Sequence, residues 1–258
     1  MTNDNTEIST QTIRFRAMIL AISVGGLLMT VKFVAYFLTD STAILSDALE
    51  SIINVVASGF ALYSIYVSNQ PPDTRHPYGH GKIEYFSVGF EGALIILAAV
   101  AILYKAIPAF FYPRMLAQLG LGIFLLLGTS AVNLALGLFL IRTGRRTRSM
   151  PLVADGKHLL TDVYTSIGVV GGLVLVKLTG WQGWDPLAAC AVAINIIFTG
   201  WRLVKESFGR LMDEADPELL GRIVDILNKN RRSDWIDIHQ LRTRHYGNKV
   251  HLDFHLVV

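Results

Sequence analysis

Six blocks of roughly twenty apolar residues, about the length a helix needs to cross the hydrocarbon core of a bilayer, run through this chain. They fall at residues 17–38, 43–68, 84–107, 117–141, 152–178 and 185–206. Hydrophobic residues make up 52% of the 258 and charged residues only 17%, against about a quarter in soluble domains. Charge has been displaced by apolar side chains, and the sequence predicts an all-α membrane domain of six transmembrane helices.

The connections constrain how those helices lie. Only "TDST" separates the first two blocks and "GWQGWD" the last two, which requires antiparallel hairpins. Longer loops, "NQPPDTRHPYGHGK" and "RTGRRTRSM", follow the second and fourth blocks. Arg14, Arg16, Arg75, Lys82, Arg142, Arg145, Arg146, Arg148, Arg202, Lys205 and Arg210 all fall on one side of the alternation, with little beyond Arg114 opposite. The positive-inside rule then places both termini in the cytoplasm and Trp181 and Trp184 at the outer interface. These juxtamembrane arginines are explained by topology and give no basis for nucleic-acid binding. Residues 1–13 lack the basic and apolar parts of a cleaved signal peptide and are expected to form a disordered arm before a membrane domain over 14–210. The single cysteine, Cys190, leaves no disulfide framework or Cys-based zinc site.

From about residue 211 the chain turns soluble in character. "DPELLGRIVDILNKN" has apolar residues at helical spacing after an Asp-Pro start, and "WIDIHQLRTRHYGNKVHLDFHLVV" reads as two strands joined around "YGNK". In the second strand Val250, Leu252, Phe254 and Leu256 share one face, with His251, Asp253 and His255 on the other. One helix and two strands bury little surface alone. The expectation for 211–258 is a partial αββ domain, either truncated or completed by a layer from a partner.

Charge inside the apolar blocks carries the functional signal. In the second block Asp47, Glu50 and Asn54 lie at i, i+3 and i+7, a narrow polar stripe on an apolar helix. In the fifth, His158 and Asp162 are i, i+4, close enough for both side chains to reach one ion. Asp155, one turn earlier, is expected at the cytoplasmic end. An ionisable residue at mid-bilayer costs about 2.5–3.5 kcal/mol, and Lys32 and Lys105 are the only obvious basic partners at matching depth. Bound cations or protons are the natural compensation; a polar helix–helix contact is the alternative. Carboxylate, carboxamide and imidazole without thiolate suit a borderline to hard divalent cation such as zinc, iron(II), manganese or cobalt. Because a metal needs neutral imidazole and ionised carboxylates, one site can exchange metal for protons. In the loop, Asp73, His76 and His80 form D-x-x-H-x-x-x-H, a workable cluster for one divalent ion or, in the plainer reading, ordinary surface residues.

The strings "STAILSDALESIINVVAS", "QPPDTRHPYGHGKIE", "ADGKHLLTDVYTSIGV", "LMDEADPELLGRIVDIL" and "DIHQLRTRHYGNKVHLDFHL" together resemble the cation diffusion facilitator family, nearest its bacterial zinc/iron branch. The resemblance runs in order over nearly the whole chain. It implies a homodimeric divalent-metal:proton antiporter of a bacterial inner membrane, with six helices per protomer above a ferredoxin-like cytoplasmic αββαβ domain. It implies a transport site at Glu50, Asn54, His158 and Asp162, a loop site at Asp73, His76 and His80, and cytoplasmic-domain histidines at His239 and His255. At the span-two positions the family carries His or Asp followed by Asp, so Glu50 and Asn54 depart from its pattern. Asn54 is a weaker, neutral ligand than a carboxylate, which leaves Asp47 as a further candidate and the metal open, cadmium included. His251 and Asp253 read as a solvated strand face. The family also places an inter-helix charge contact near its dimer seam at the positions of Lys82 and Asp213.

No activated nucleophile, nucleotide loop or prosthetic group is indicated, and Gly171 and Gly172 read as points of close helix approach. Three readings therefore stand: a divalent-metal:proton exporter, a sodium:proton antiporter on the same fold, and a membrane scaffold or metal sensor without transport.

Overall fold

Each apolar block forms one long helix, because in hydrocarbon every backbone N–H and C=O must be satisfied within its own segment. The computed structural model describes residues 2–39, 42–111, 119–181, 183–246 and 249–258. Helices α1 (Thr2–Thr39), α2 (Thr42–Ser68), α3 (Ile83–Phe111), α4 (Leu119–Thr147), α5 (Met150–Thr179) and α6 (Trp184–Leu211) precede a short α7 (Pro217–Lys229) and strands β1 (Asp237–Tyr246) and β2 (Lys249–Val257). The first six are long and apolar enough to cross a membrane.

Two expected boundaries shift. Residues 2–13 are the opening turns of α1 rather than a disordered arm, since extending a formed helix is far less costly than nucleating one. The loop expected over 142–150 shrinks to Arg148 and Ser149. Arg145 and Arg146 sit in the last turn of α4, where cations complement the helix dipole, and Arg148 reverses the chain at φ +53°. Pro151 then opens α5, where its missing N–H has no helical partner to lose.

The bundle packs around two apolar centres. Met18, Ala61, Ile65, Leu140 and Leu159 join α1, α2, α4 and α5, while Val88, Ile95, Ala154, Ile196 and Leu203 join α3, α6 and α5. Helix α5 belongs to both and is the spine of the bundle. Glycines let the backbones meet. A Cβ on Gly92 would lie 2.9 Å from Gly200 O, and one on Gly156 would lie 2.8 Å from Gly137 O. Gly171, expected as a point of close approach, has nothing within 4 Å of its Cβ position.

Arg14, expected beside the first span as a topology-setting surface cation, is instead buried at 1% exposure. Its Nη1 lies 3.3 Å from Glu84 Oε1 on α3, and its Nε donates to Thr147 O at the end of α4 (3.0 Å). Ser68 Oγ of α2 also donates to Glu84 Oε1 (2.7 Å). One ion pair therefore ties the ends of α2, α3 and α4 to α1.

Strands β1 and β2 pair antiparallel, Asp237 opposite Val257 and Tyr246 opposite Lys249, with an irregularity between His239 and Arg242 where Gln240 takes φ +56°. Asp216 caps α7 by accepting from Leu219 N, which with nearby Arg210 holds its carboxyl below the usual range. No residue of α7 is buried, and Val250, Leu252 and Leu256 stay exposed. This small αββ unit buries as little apolar surface as its sequence predicts.

Candidate functional site

The polar residues of α2 and α5 meet inside the bundle. His158 Nε2 lies 2.8 Å from Asn54 Oδ1, and Asn54 Nδ2 donates to Asp162 Oδ2 (2.8 Å). One amide thus bridges the imidazole and carboxylate that the i, i+4 spacing of α5 stacks on the same face. One turn further along α2, Ser58 Oγ donates to Asp155 Oδ1 (2.7 Å). Asp155, in the second turn of α5 and so near the helix end where it was expected, is 2% exposed and a buried member of the polar stripe. At the other end of the stripe, Lys32 Nζ of α1 donates to Ser51 Oγ (2.9 Å).

Asp47 and Glu50 lie on α2 two turns and one turn before Asn54, but their side chains, like that of Lys105, lie outside the described residues.

A further carboxylate, which the sequence reading passed over, reaches the cluster from α3. Glu91 is 1% exposed, and its Oε1 lies 3.3 Å from His158 Nδ1. The available signal was an acidic residue within an apolar span. Glu84, Ser87 and Glu91 lie at i, i+3 and i+7, a buried polar stripe on α3 with the same spacing as that on α2. The assembled site holds an imidazole, an amide and three carboxylates drawn from α2, α3 and α5. That donor set can coordinate a hard or borderline cation or exchange protons, but contains no redox-active or nucleophilic group.

The loop residues also converge. Asp73 Oδ1 accepts from the backbone N–H of His76 (2.6 Å) and Arg75 (2.8 Å) and lies 3.1 Å from His76 Nδ1, while Oδ2 lies 3.4 Å from His80 Nε2. One potential ligand atom from each of the three falls within 4.8 Å of the other two. The bond from the His76 amide, then those from its ring and from Arg75, hold the Asp73 carboxyl below its ordinary range. Gly79, at φ +88°, supplies the turn that brings His80 back, in a conformation that side chains with a Cβ rarely adopt.

Lys82 and Asp213 do pair, Nζ to Oδ2 at 3.0 Å, and Lys82 also donates to Leu211 O (3.1 Å) and sits 5.3 Å from the Tyr246 ring centre. His239 and His255 face each other across the β ladder with ring centres 5.4 Å apart, and Asp237 Oδ2 lies 3.0 Å from His239 Nδ1. His251 is exposed, and its ring lies edge-on to Tyr78 of the loop and Tyr246 of β1. Asp253 stands opposite Arg242.

Comparison with known proteins covers nearly the whole chain. Residues 18–212 match the cation efflux transmembrane domain, and residues 215–258 match the cytoplasmic domain of cation efflux proteins. The chain is 39% identical to the uncharacterized transporter sll1263 of Synechocystis sp., over 92% of this chain and 77% of that one. It is 27% identical to the zinc transporter ZitB of Yersinia pestis, over 92% and 72% respectively. To the cation-efflux pump FieF of Citrobacter koseri it is 30% identical, over 93% and 80%.

Proposed function

The chain belongs to the cation efflux family, a family of membrane transporters, and on that premise we propose that it exports a divalent metal cation from the cytoplasm in exchange for protons. The observation that carries this reading is the hydrogen-bonded chain from buried His158 through half-buried Asn54 to half-buried Asp162, which joins α2 to α5 in an apolar bundle. His158 Nε2, a carboxylate oxygen of Asp162 and the amide oxygen of Asn54 are the ligands, joined by Glu50 from the preceding turn of α2 and with Asp47 as a further candidate. Zinc, iron(II), manganese, cobalt and cadmium all accept such a donor set. Binding requires neutral imidazole and ionised carboxylates, so protons arriving from the opposite side compete for the same atoms and release the metal. Rocking of the helices about this fixed site changes the side to which it opens.

In this reading the protein is a homodimer of a bacterial inner membrane with both termini cytoplasmic, the transport domain spanning 14–210 and the metallochaperone-like domain 211–258. Asp73, His76 and His80 capture the ion at the cytoplasmic mouth, His239 and His255 bind metal in the cytoplasmic domain, and Lys82 with Asp213 steadies the helix ends near the dimer seam. A monovalent-cation variant draws support from one feature, the neutral Asn54 where the resembled pattern has Asp.

Uptake into proteoliposomes under an imposed pH gradient tests the proposal, comparing zinc, manganese, iron(II), cobalt and cadmium for wild type and Asp162→Ala. Divalent flux that vanishes in the variant is expected. Sodium-driven proton flux with no response to any of these metals would overturn it.

A further inference from the structure

We propose that Glu91 of α3 is a positioning residue of the transport site: it orients His158 through Nδ1 and supplies the negative charge that Asn54 does not carry. The inference rests on the reading of Asn54, His158 and Asp162 as a cation site and adds a third helix to it.

Three observations converge. Glu91 Oε1 and His158 Nδ1 lie 3.3 Å apart, both side chains are at most 7% exposed, and neither atom has a hydrogen-bond partner elsewhere among the described residues. Each is the other's polar neighbour, in a geometry still short of a well-aligned hydrogen bond. The opposite ring nitrogen, Nε2, faces Asn54 Oδ1 at 2.8 Å. The imidazole is therefore held between an acid on α3 and the amide–carboxylate pair of α2 and α5. Finally, α3 is seated firmly beside the acid, because Gly92 packs against Gly200 O so closely that a Cβ there would meet it at 2.9 Å. That contact joins α3 to α6, and Val88 and Ile95 of α3 share an apolar cluster with Ala154 of α5, one turn before His158.

The chemistry follows from histidine having two different nitrogens. An imidazole that ligates a metal through one nitrogen commonly donates its other N–H to a carboxylate, which fixes tautomer and ring orientation and strengthens the ligand. Asn54 Oδ1 can only accept from Nε2–H in this geometry, because Asn54 Nδ2 donates to Asp162. Metal binding releases that proton, and with the other proton kept on Nδ1 toward Glu91 the Nε2 lone pair is freed on the side where Asn54 and Asp162 stand. Asn54 is neutral, so α2 adds no charge at this position to a dication site in a low-dielectric bundle. Glu91 supplies a unit of negative charge without occupying a ligand position. A simpler role, a structural clamp between α3 and α5, predicts a different response to placing the charge on α2.

The test is equilibrium binding of Zn2+ to the full-length protein, reading only the component lost in Asp162→Ala. Glu91→Gln is expected to weaken that component about 10–100-fold, the range typical of outer-shell partners. Asn54→Asp combined with Glu91→Gln is expected to regain most of the loss, because the α2 position then carries the charge. Wild-type affinity in Glu91→Gln overturns the proposal, as does a double variant no tighter than Glu91→Gln alone, which leaves only the clamp. Should Glu91→Gln fail to fold, Glu91→Asp keeps the charge but draws it back from Nδ1, and unchanged affinity there overturns the orienting role. If Asp162→Ala removes no Zn2+ binding at all, the cation-site reading falls and the role of Glu91 falls with it.

Discussion

In the loop between α2 and α3, exposed Asp73 and His76 meet half-buried His80; between α2 and α5, half-buried Asn54 and Asp162 meet buried His158. Both clusters combine imidazole with carboxylate, yet different forces assemble them. Backbone amides only two and three residues away hold Asp73, and a single glycine turn returns His80 to it. Local chain geometry suffices, and the cluster stays exposed. In the bundle every partner comes from another helix, so the site forms only when the helices pack. A water-facing cluster can capture and release an ion with little structural consequence. Buried groups must instead be compensated in every state, by each other, by protons or by a cation. The loop suits capture and the bundle suits obligatory exchange.

The strongest way to break this contrast is to orphan a charge in the interior. Arg14 and Glu84 are both nearly inaccessible, with side chains 1% and 2% exposed. Removing one partner strands the other in a low-dielectric site, at a cost of about 3–5 kcal/mol. Glu84→Gln should therefore lower the unfolding midpoint in detergent sharply. Arg14→Met with Glu84→Met should recover much of the loss, since no charge is then left without its partner. Equal midpoints for Glu84→Gln and wild type would mean that this interior tolerates lone charge, and the contrast would collapse.

The loop should respond differently. His76→Ala with His80→Ala is expected to raise the KM for metal uptake several-fold while leaving the maximal rate and the unfolding midpoint near wild type. A lost maximal rate would make the cluster part of the transport step rather than of capture. The Asp73 carboxyl gives an independent reading of the same geometry. The folded loop depresses its acidity constant, so the stabilisation is fully present above the ordinary aspartate value of about 3.9 and is lost as pH falls through the lower folded value. A carboxyl-carbon NMR titration should find its midpoint below that ordinary value. A midpoint at or above it would show that the amides of Arg75 and His76 do not hold the side chain.

The same contrast decides what the sequence made legible. Six apolar blocks announced six helices because length and hydropathy are properties of a single segment. His158 with Asp162, and Asp73 with His76 and His80, were visible because their spacing along the chain already implies proximity. Glu91 stands in a stripe of the same kind, with Glu84 and Ser87, but only the fold shows that its partner is His158 on α5. Arg14 was misread for a related reason: the positive-inside pattern accounts for an arginine near a helix end, and only the fold reveals a buried glutamate beside it. Asp155 was placed near the end of α5, where it lies, but its burial against Ser58 of α2 could not be read from spacing. Spacing reports contacts within an element, whereas pairing between elements needs the structure.

Lys82 and Asp213 sharpen the comparison from its weak side. Their side chains are about a third exposed, so water screens both charges. A contact of that kind contributes about 0.2–1 kcal/mol, far below the Arg14–Glu84 pair. Lys82 also donates to Leu211 O and lies against Tyr246, so its removal has consequences beyond the ion pair. Lys82→Asp should lower the unfolding midpoint slightly and reduce the dimer fraction on size-exclusion chromatography. Exchanging the charges, Lys82→Asp with Asp213→Lys, should restore the dimer fraction if attraction between these two positions supports the seam. Lys82→Ala alone should then show a smaller defect than Lys82→Asp, because it removes the attraction without adding two facing acids. A double exchange no better than Lys82→Asp would leave the carbonyl and ring contacts of Lys82 as its contribution, and the half-exposed ion pair would have no part in assembly.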